Sequence, residues 1–89
     1  MNRRNLEGNA QKYFSIEAAY RTLLWDRPRD YVKEVVWSCG VDFRCYTAWT
    51  ENNEKVQQME IYNPDYIVLL SFGTDDRCNG VSVYPEAQL

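Results

Sequence analysis

Histidine is absent from this sequence, and the lack removes several classes of catalytic and metal site at once. Histidine is the commonest general base, the commonest metal ligand and the usual partner of a serine or cysteine nucleophile. Glycine is also scarce: Gly8, Gly40, Gly73 and Gly80 are scattered and form no phosphate-binding loop. The sequence therefore predicts a protein that is not an enzyme and that uses no cofactor.

Cysteine is sparse, and its spacing argues against a metal centre. Cys39, Cys45 and Cys78 are odd in number, and no two of them form a C-x-x-C pair. Structural zinc sites need clustered thiolates or histidines, so we expect no bound metal. The first residues are polar and contain no apolar leader, and no apolar run is long enough to span a membrane. We expect a cytoplasmic protein with free thiols, in the host cytoplasm if a phage encodes it.

The chain has 89 residues, which is the length of one small domain. Residues 1–12 are almost entirely polar, and we expect a flexible N-terminal arm there. Residues 13–89 then form a single domain. A domain of this size has a thin core with little room for a deep pocket, which favours a protein that acts through its surface.

Residues 15–25 have the clearest helical periodicity in the chain. Ser15 is a suitable N-cap, and Pro28 ends the helix because it disfavours helical geometry at the preceding residue. The apolar side chains recur at helical spacing and predict one buried face. These are Ile16, Ala19, Tyr20, Leu23 and Leu24.

Residues 29–38 are compatible with a helix or a strand. Their β-branched content favours a strand, whereas Lys33 and Glu34 interrupt strict alternation and favour a short helix. Gly40 is well placed to end such a helix.

From Val41 onwards the pattern changes to a period of two. It predicts strands at 41–49, 55–62, 66–72 and 81–84, separated by polar turns at 51–54 and 63–65 and by a loop at 73–80. The apolar run at 66–72 is typical of a core strand or of a central strand covered on both faces. Short connections predict an antiparallel meander. The expected fold is a two-layer α+β domain, with one or two N-terminal helices packed on a four-stranded antiparallel sheet.

Charge is unevenly distributed, and it defines a first candidate partner-binding surface. The net charge is −3, and the excess of negative charge lies after residue 50, where seven acidic side chains accompany only two basic ones. Such a surface could mimic phosphate towards a basic groove, or it could be an ordinary solvated face. Its candidate residues are Glu51, Glu54, Glu60, Asp75 and Asp76. Asp75 and Asp76 are also the only cluster of oxygen ligands that could hold a metal ion, and a turn that favours short polar side chains explains them better than such a site does.

A second candidate surface lies where the two predicted helices meet. Its residues are Trp25, Arg27, Arg29 and Tyr31, of types that are enriched in binding hot spots. In the alternative interpretation, Arg27 and Arg29 pair with Asp26 and Asp30 on a solvated turn.

These features favour a small acidic protein–protein interaction module with a larger protein as its partner. In general type the chain resembles small phage-encoded or mobile-element proteins that bind and inhibit a host machine, such as a nucleic-acid-handling or defence complex. No motif carries that resemblance.

Two other functions stay open. In one, the chain is a structural subunit that forms a homodimer or larger homo-oligomer by pairing through an edge strand at 81–84. In the other, aromatic side chains of the sheet stack on single-stranded nucleic acid beside Arg44. The candidates for stacking are Tyr46, Tyr62, Tyr66 and Tyr84. The negative net charge counts against direct nucleic-acid binding.

Overall fold

Two helices lead into a four-stranded antiparallel sheet. The computed structural model describes the backbone of residues 3–85 and the side chains of residues 11–85. Helices α1 (Arg3–Leu24) and α2 (Arg29–Ser38) precede strands β1 (Asp42–Trp49), β2 (Lys55–Tyr62), β3 (Tyr66–Phe72) and β4 (Cys78–Pro85). The strands pair in the order β1-β2-β3-β4, which is a meander. The predicted α+β fold is confirmed.

Helix α1 is longer than the sequence predicted. It begins at Arg3, so the start predicted at Ser15 is wrong, and Ser15 lies inside the helix. Arg, Gln, Lys and Glu are strong helix formers, and a polar segment rich in them can extend an amphipathic helix. The expected N-terminal arm is therefore helical from Arg3 onwards. Its flexibility stays a prediction, and its first two residues lie outside the described part of the chain.

Helix α2 settles the ambiguity at residues 29–38 in favour of the helix. Pro28 occupies the N-cap position with an extended backbone (φ −61°, ψ 148°), which its ring accommodates. After the helix, Gly40 adopts a φ of 73°, and its N–H donates to the Trp37 carbonyl oxygen at 3.1 Å. Gly40 thus ends the helix as predicted, in the left-handed conformation that glycine adopts without strain.

The core lies between the two helices and one face of the sheet. The helices contribute Leu24, Val32 and Val36, all nearly inaccessible to solvent. The strands contribute Met59, Ile61, Val68, Leu70, Phe72, Cys78 and Val81. Leu23 was predicted to share the buried face of α1, but it is 53% exposed. It lies at the margin of the apolar stripe, next to the groove between the helices rather than over the sheet.

Strand β3 is central in the sheet, as its apolar sequence predicted. The helices cover only one of its faces. On the other face, Ile67 is buried and Leu69 half-buried, although no described helix or strand packs over them. The loop predicted at 73–80 is shorter than expected because β4 already begins at Cys78. Among the described residues, no helix is long and apolar enough to cross a membrane.

Candidate partner-binding surfaces

The turn between the helices is hydrogen-bonded to the β3–β4 loop. The Asp26 N–H donates to the Cys78 carbonyl oxygen (2.8 Å), and the Cys78 N–H donates to that of Arg27 (3.0 Å). The Arg29 N–H donates to the Asp76 carbonyl oxygen (2.9 Å). Asp26 and Asp76 both have a positive φ, near 60°, a conformation that aspartate tolerates better than most residues. These bonds fix the position of the second candidate surface.

Side chains reinforce the same contact. Arg29 Nε lies 3.2 Å from Asp76 Oδ1, and Arg29 Nη1 donates to Gln57 Oε1 at 3.1 Å. From the opposite side, Arg77 Nη1 donates to the Asp26 carbonyl oxygen at 2.7 Å. The structure therefore joins a residue of the basic candidate surface to a residue of the acidic one.

The alternative pairing of Arg27 and Arg29 with their acidic neighbours is not observed in the described chain. Arg29 pairs with Asp76 instead of Asp26 or Asp30. The Arg27 guanidinium lies over the ring of Tyr31, 5.2 Å from its centroid, in a cation–π arrangement.

Asp75 and Asp76 shape the loop that carries them. Asp75 Oδ1 accepts a hydrogen bond from the Arg77 N–H at 3.1 Å, which is the geometry of an aspartate-stabilised turn. The Asp76 carboxylate is paired with Arg29. Both observations agree with the turn interpretation, and the ion pair with Arg29 offsets the negative charge of Asp76, whereas Asp75 keeps its own.

The other acidic candidates lie on different elements. Glu51 and Glu54 are exposed in the β1–β2 turn, where the Thr50 hydroxyl accepts a hydrogen bond from the Glu54 N–H at 3.1 Å. Glu60 is half-buried on β2. The five acidic candidates thus fall into three groups, on a turn, a loop and a strand.

Exposed apolar side chains on the outside of the helices form a further candidate surface. Phe14 is 72% exposed, Leu23 53%, Trp25 47% and Tyr31 41%. The Arg21 guanidinium lies 5.5 Å from the centroid of a Trp25 ring. We call this surface the helix-layer patch, and it consists of Phe14, Arg21, Leu23, Trp25, Arg27 and Tyr31.

Shallow grooves connect the members of the helix-layer patch. One groove runs along α1 between Phe14 and Trp25, and a second reaches from Leu23 to Tyr31 on α2. Both are floored by Ala18 and Thr22, whose small side chains leave room between the larger ones. The patch is therefore continuous and spans both helices.

The sequence predicted some residues of the helix-layer patch but not all of them. Trp25, Arg27 and Tyr31 were predicted, whereas Phe14 and Leu23 were not assigned to a binding surface. Phe14, Ala18 and Trp25 follow helical spacing on the side of α1 away from the core. That second apolar stripe was the available signal.

The face of the sheet opposite the helices carries a second group of aromatic side chains. Tyr46, Glu60, Ile67, Leu69 and Tyr84 line one pocket there, to which none of the described helix side chains contributes. We call this surface, together with Arg44 and Tyr62, the open sheet face.

Three of the four strand tyrosines considered for stacking lie on the open sheet face. Tyr66 is the exception: it packs against the core beneath the helices, with its ring centroid 6.4 Å from that of Tyr13. Strand alternation explains the difference, because Tyr66 and the neighbouring Ile67 point to opposite faces.

Glu60 places a carboxylate in the open sheet face. Its Oε2 accepts a hydrogen bond from the Tyr62 hydroxyl at 3.3 Å. Burial, and then the negative charge of Glu60, raise the pKa of Tyr46 and Tyr62 above the usual value. Arg44 is the one basic residue that we assign to this face, and its guanidinium lies 5.3 Å from the Tyr46 ring centroid. A central carboxylate and one arginine count against binding of a phosphate backbone.

No family model matches the chain, and no curated protein or solved structure shows significant similarity to it. The candidate surfaces therefore rest on the geometry and chemistry of this chain.

Proposed function

We propose that the protein is an interaction module that binds a larger protein through the helix-layer patch and blocks it. One observation carries the proposal: large apolar side chains lie exposed and continuous across both helices. Their burial would remove apolar surface from water and stabilise a complex. Trp, Tyr and Arg, which the patch contains, are the residues most enriched in binding hot spots.

The chemistry of the patch describes the partner surface that fits it. The Ala18–Thr22 floor between large side chains accepts a narrow apolar ridge, such as one face of a helix. Arg21 and Arg27 lie against the rings at its border, and Arg21 is already paired with Glu17 at 3.2 Å. We therefore expect a partner with apolar side chains beside a carboxylate that faces Arg27, because opposite charges at the rim guide association.

The acidic candidate surface is the weaker of the two. Asp76 is paired with Arg29, and Asp75 stabilises its own turn. A phosphate mimic needs an array of unpaired negative charges, which this loop does not present. We infer that Glu51 and Glu54 keep the protein soluble and contribute little to binding.

Inhibition is the mode of action that we propose for the bound module. A small domain that occupies a functional surface of a larger host protein blocks it without chemistry of its own. This is the manner in which phage-encoded and mobile-element inhibitors act, and it keeps a nucleic-acid-handling or defence complex as the proposed target class.

Quantitative capture with matched variants tests the proposal. Tagged wild-type protein, Leu23→Ala, Trp25→Ala and the control Trp49→Ala are compared in cell extract treated with nuclease. Trp49 is 65% exposed on β1 and lies outside the helix-layer patch. We expect one stoichiometric protein with the wild type and Trp49→Ala, and its loss with Trp25→Ala and Leu23→Ala. Addition of purified module should then inhibit that protein, and the two patch variants should not.

Three results would contradict the proposal. Equal capture by all four proteins would show that the patch is not the binding surface. Recovery of the bait alone, with a dimeric mass in sedimentation, would favour self-assembly through β4, which lies at the edge of the sheet. Capture that nuclease abolishes would favour the nucleic-acid alternative.

A further inference from the structure

The open sheet face contains a small pocket that combines rings, aliphatic groups and one carboxylate. Its volume is about 190 Å³, and Tyr46, Glu60, Ile67, Leu69 and Tyr84 line it. Ile67 and Leu69 come from the central strand β3 and are buried and half-buried, respectively. Tyr46 comes from β1 and Tyr84 from β4, so the two rings approach from opposite edges of the sheet.

Strand register explains why these side chains converge. Glu60 is paired with Leu69 across the β2–β3 ladder, and Ile67 is paired with Tyr84 across the β3–β4 ladder. Directly paired residues project from the same face of an antiparallel sheet. Tyr46 is diagonal to Glu60 across the β1–β2 ladder, within reach of a long side chain. The register therefore surrounds an apolar floor with tyrosines and places one negative charge beside it.

Within the described chain, Glu60 forms no ion pair, although Arg44 is its direct partner on β1. The Arg44 guanidinium lies over the Tyr46 ring instead. The Glu60 carboxylate accepts a hydrogen bond from the Tyr62 hydroxyl at a long distance of 3.3 Å, and the Tyr46 hydroxyl also lies within reach of it. A carboxylate that is half-buried and bonded only to neutral hydroxyls retains much of its attraction for a cation.

We propose that this pocket binds an alkylammonium group, specifically a lysine side chain presented by a partner protein. The aliphatic stem would lie on Ile67 and Leu69, which suits the apolar part of a lysine. The ammonium group would lie against the tyrosine rings, which attract cations through their electron-rich faces, and beside Glu60. The site is separate from the helix-layer patch, because it lies on the other face of the sheet.

The composition of the pocket favours this ligand over a metal ion. A calcium ion takes six to eight oxygen ligands, and a single carboxylate beside neutral hydroxyls does not supply them. A charge with an aliphatic chain matches both the floor and the carboxylate. Arg44 competes for the Tyr46 ring from within the chain, so the affinity of the pocket depends on how readily this guanidinium moves aside.

A titration monitored by NMR tests the site on the full-length protein. The ligand is Nα-acetyl-lysine amide, and its control is Nα-acetyl-norleucine amide, which has a similar chain without the charge. We expect saturable shifts at millimolar concentration for the lysine compound, centred on Glu60, Ile67 and Tyr84, and much weaker ones for norleucine. The comparison uses the wild-type protein, so it decides the proposal even if a variant fails to fold.

Variants then assign the binding to the named side chains. We expect Glu60→Gln and Tyr84→Leu each to weaken lysine binding by about threefold to tenfold, the range for partly exposed ionic and cation–π contacts. Glu54→Gln, a change of the same chemistry in the exposed β1–β2 turn, should leave the affinity unchanged. Arg44→Gln should strengthen binding, because it removes the internal competitor.

The proposal is overturned by any of three results. One is the absence of saturable shifts with the lysine compound, and another is equal binding of norleucine. The third is unchanged affinity in a folded Glu60→Gln variant, which would place the cation elsewhere.

Discussion

Arg29 and Asp76 form an ion pair, with 3.2 Å between Nε and Oδ1, that fastens the first turn of α2 to the β3–β4 loop. The same two residues are joined through their backbones, since the Arg29 N–H donates to the Asp76 carbonyl oxygen at 2.9 Å. The arginine also donates to Gln57 on β2. The Arg29 side chain therefore links a helix, a loop and a strand. Its ion pair also offsets the negative charge of Asp76, which the acidic candidate surface would need to bind a basic partner.

A double-mutant cycle on Arg29→Ala and Asp76→Ala measures this link. We expect a coupling free energy of about 0.2–1 kcal/mol from urea denaturation, because the pair is partly exposed and therefore screened. The coupling should fall when salt is added. The Lys12–Asp65 pair is longer, at 3.7 Å, and more exposed, so its cycle is a control with smaller coupling. Equal coupling in the two cycles would show that the Arg29–Asp76 geometry adds no more stability than the longer, more exposed pair.

Charge reversal of the acidic residues separates a structural effect from a binding effect. We expect Asp75→Lys with Asp76→Lys to lower the melting temperature, because the change places lysine opposite Arg29 and removes the acceptor for the Arg77 N–H. Glu51→Lys with Glu54→Lys should preserve the melting temperature and the capture of the partner. Loss of capture with this second pair would restore the acidic surface as the binding site.

Leu23 and Leu24 are adjacent in sequence but differ in burial, which makes them a matched pair. Leu24 is 1% exposed in the core, whereas Leu23 is 53% exposed in the helix-layer patch. We expect Leu24→Ala to lower the free energy of unfolding by about 2–4 kcal/mol, the usual effect of truncating a core leucine. Leu23→Ala should change it by less than about 0.5 kcal/mol, as surface substitutions usually do, yet weaken partner capture. Denaturant unfolding of both variants gives the comparison, and similar losses would contradict the assigned burial.

Leu23 and Leu24 also show what sequence periodicity can and cannot predict. The spacing of Ile16, Tyr20 and Leu24 predicted a helix and its buried stripe, because those residues share one face. Periodicity does not define how wide a part of the stripe the sheet covers. Leu23 lies outside the covered part and is exposed. The start of α1 was missed because a polar helix and a polar arm have similar compositions.

The sheet was predicted more completely than the surfaces. Alternation and short turns determine strand order in a meander, and the strands formed close to their predicted positions. The contact of Arg29 with Asp76 joins residues far apart in the chain, and no local pattern encodes it. The pocket around Glu60 likewise depends on the register of all four strands, which the sequence did not specify.

Gly40 provides a test of the helix ending. Its φ of 73° is unfavourable for residues with a Cβ, while the space that a Cβ would occupy is open. Gly40→Ala should therefore cost about 1 kcal/mol through backbone strain alone. Gly40→Asn should cost less, since asparagine tolerates the left-handed region. Denaturation of the two variants checks this ranking, and equal stability of Gly40→Ala and wild type would contradict the strained conformation.

The cysteines should differ in reactivity because only one of them is buried. Cys39 and Cys45 are exposed, whereas Cys78 is buried in the core. Burial raises the pKa of the Cys78 thiol, which lowers the fraction of reactive thiolate, and it also blocks access. We expect a thiol-specific disulfide reagent to modify two thiols rapidly in the native protein and the third only after denaturation. A native Cys78→Ala variant should show the same two rapid reactions, and rapid modification of all three thiols in the wild type would contradict the core assignment.

The raised pKa of Cys78 also predicts a loss of stability in alkali. In the unfolded chain this thiol ionises near its usual pKa of 9.0, whereas in the folded protein it stays protonated to higher pH. The unfolded state therefore releases its proton first, so the contribution of the thiol to stability is complete below pH 9.0 and is lost as the pH rises through the folded pKa. The free energy of unfolding should fall with a slope of up to about 1.4 kcal/mol per pH unit from this thiol, with tyrosines such as Tyr20 adding to it at higher pH. Denaturant unfolding of wild type and Cys78→Ala across this range isolates the thiol. A shallower slope in the variant supports the linkage, and identical slopes would show that Cys78 ionises equally readily in both states.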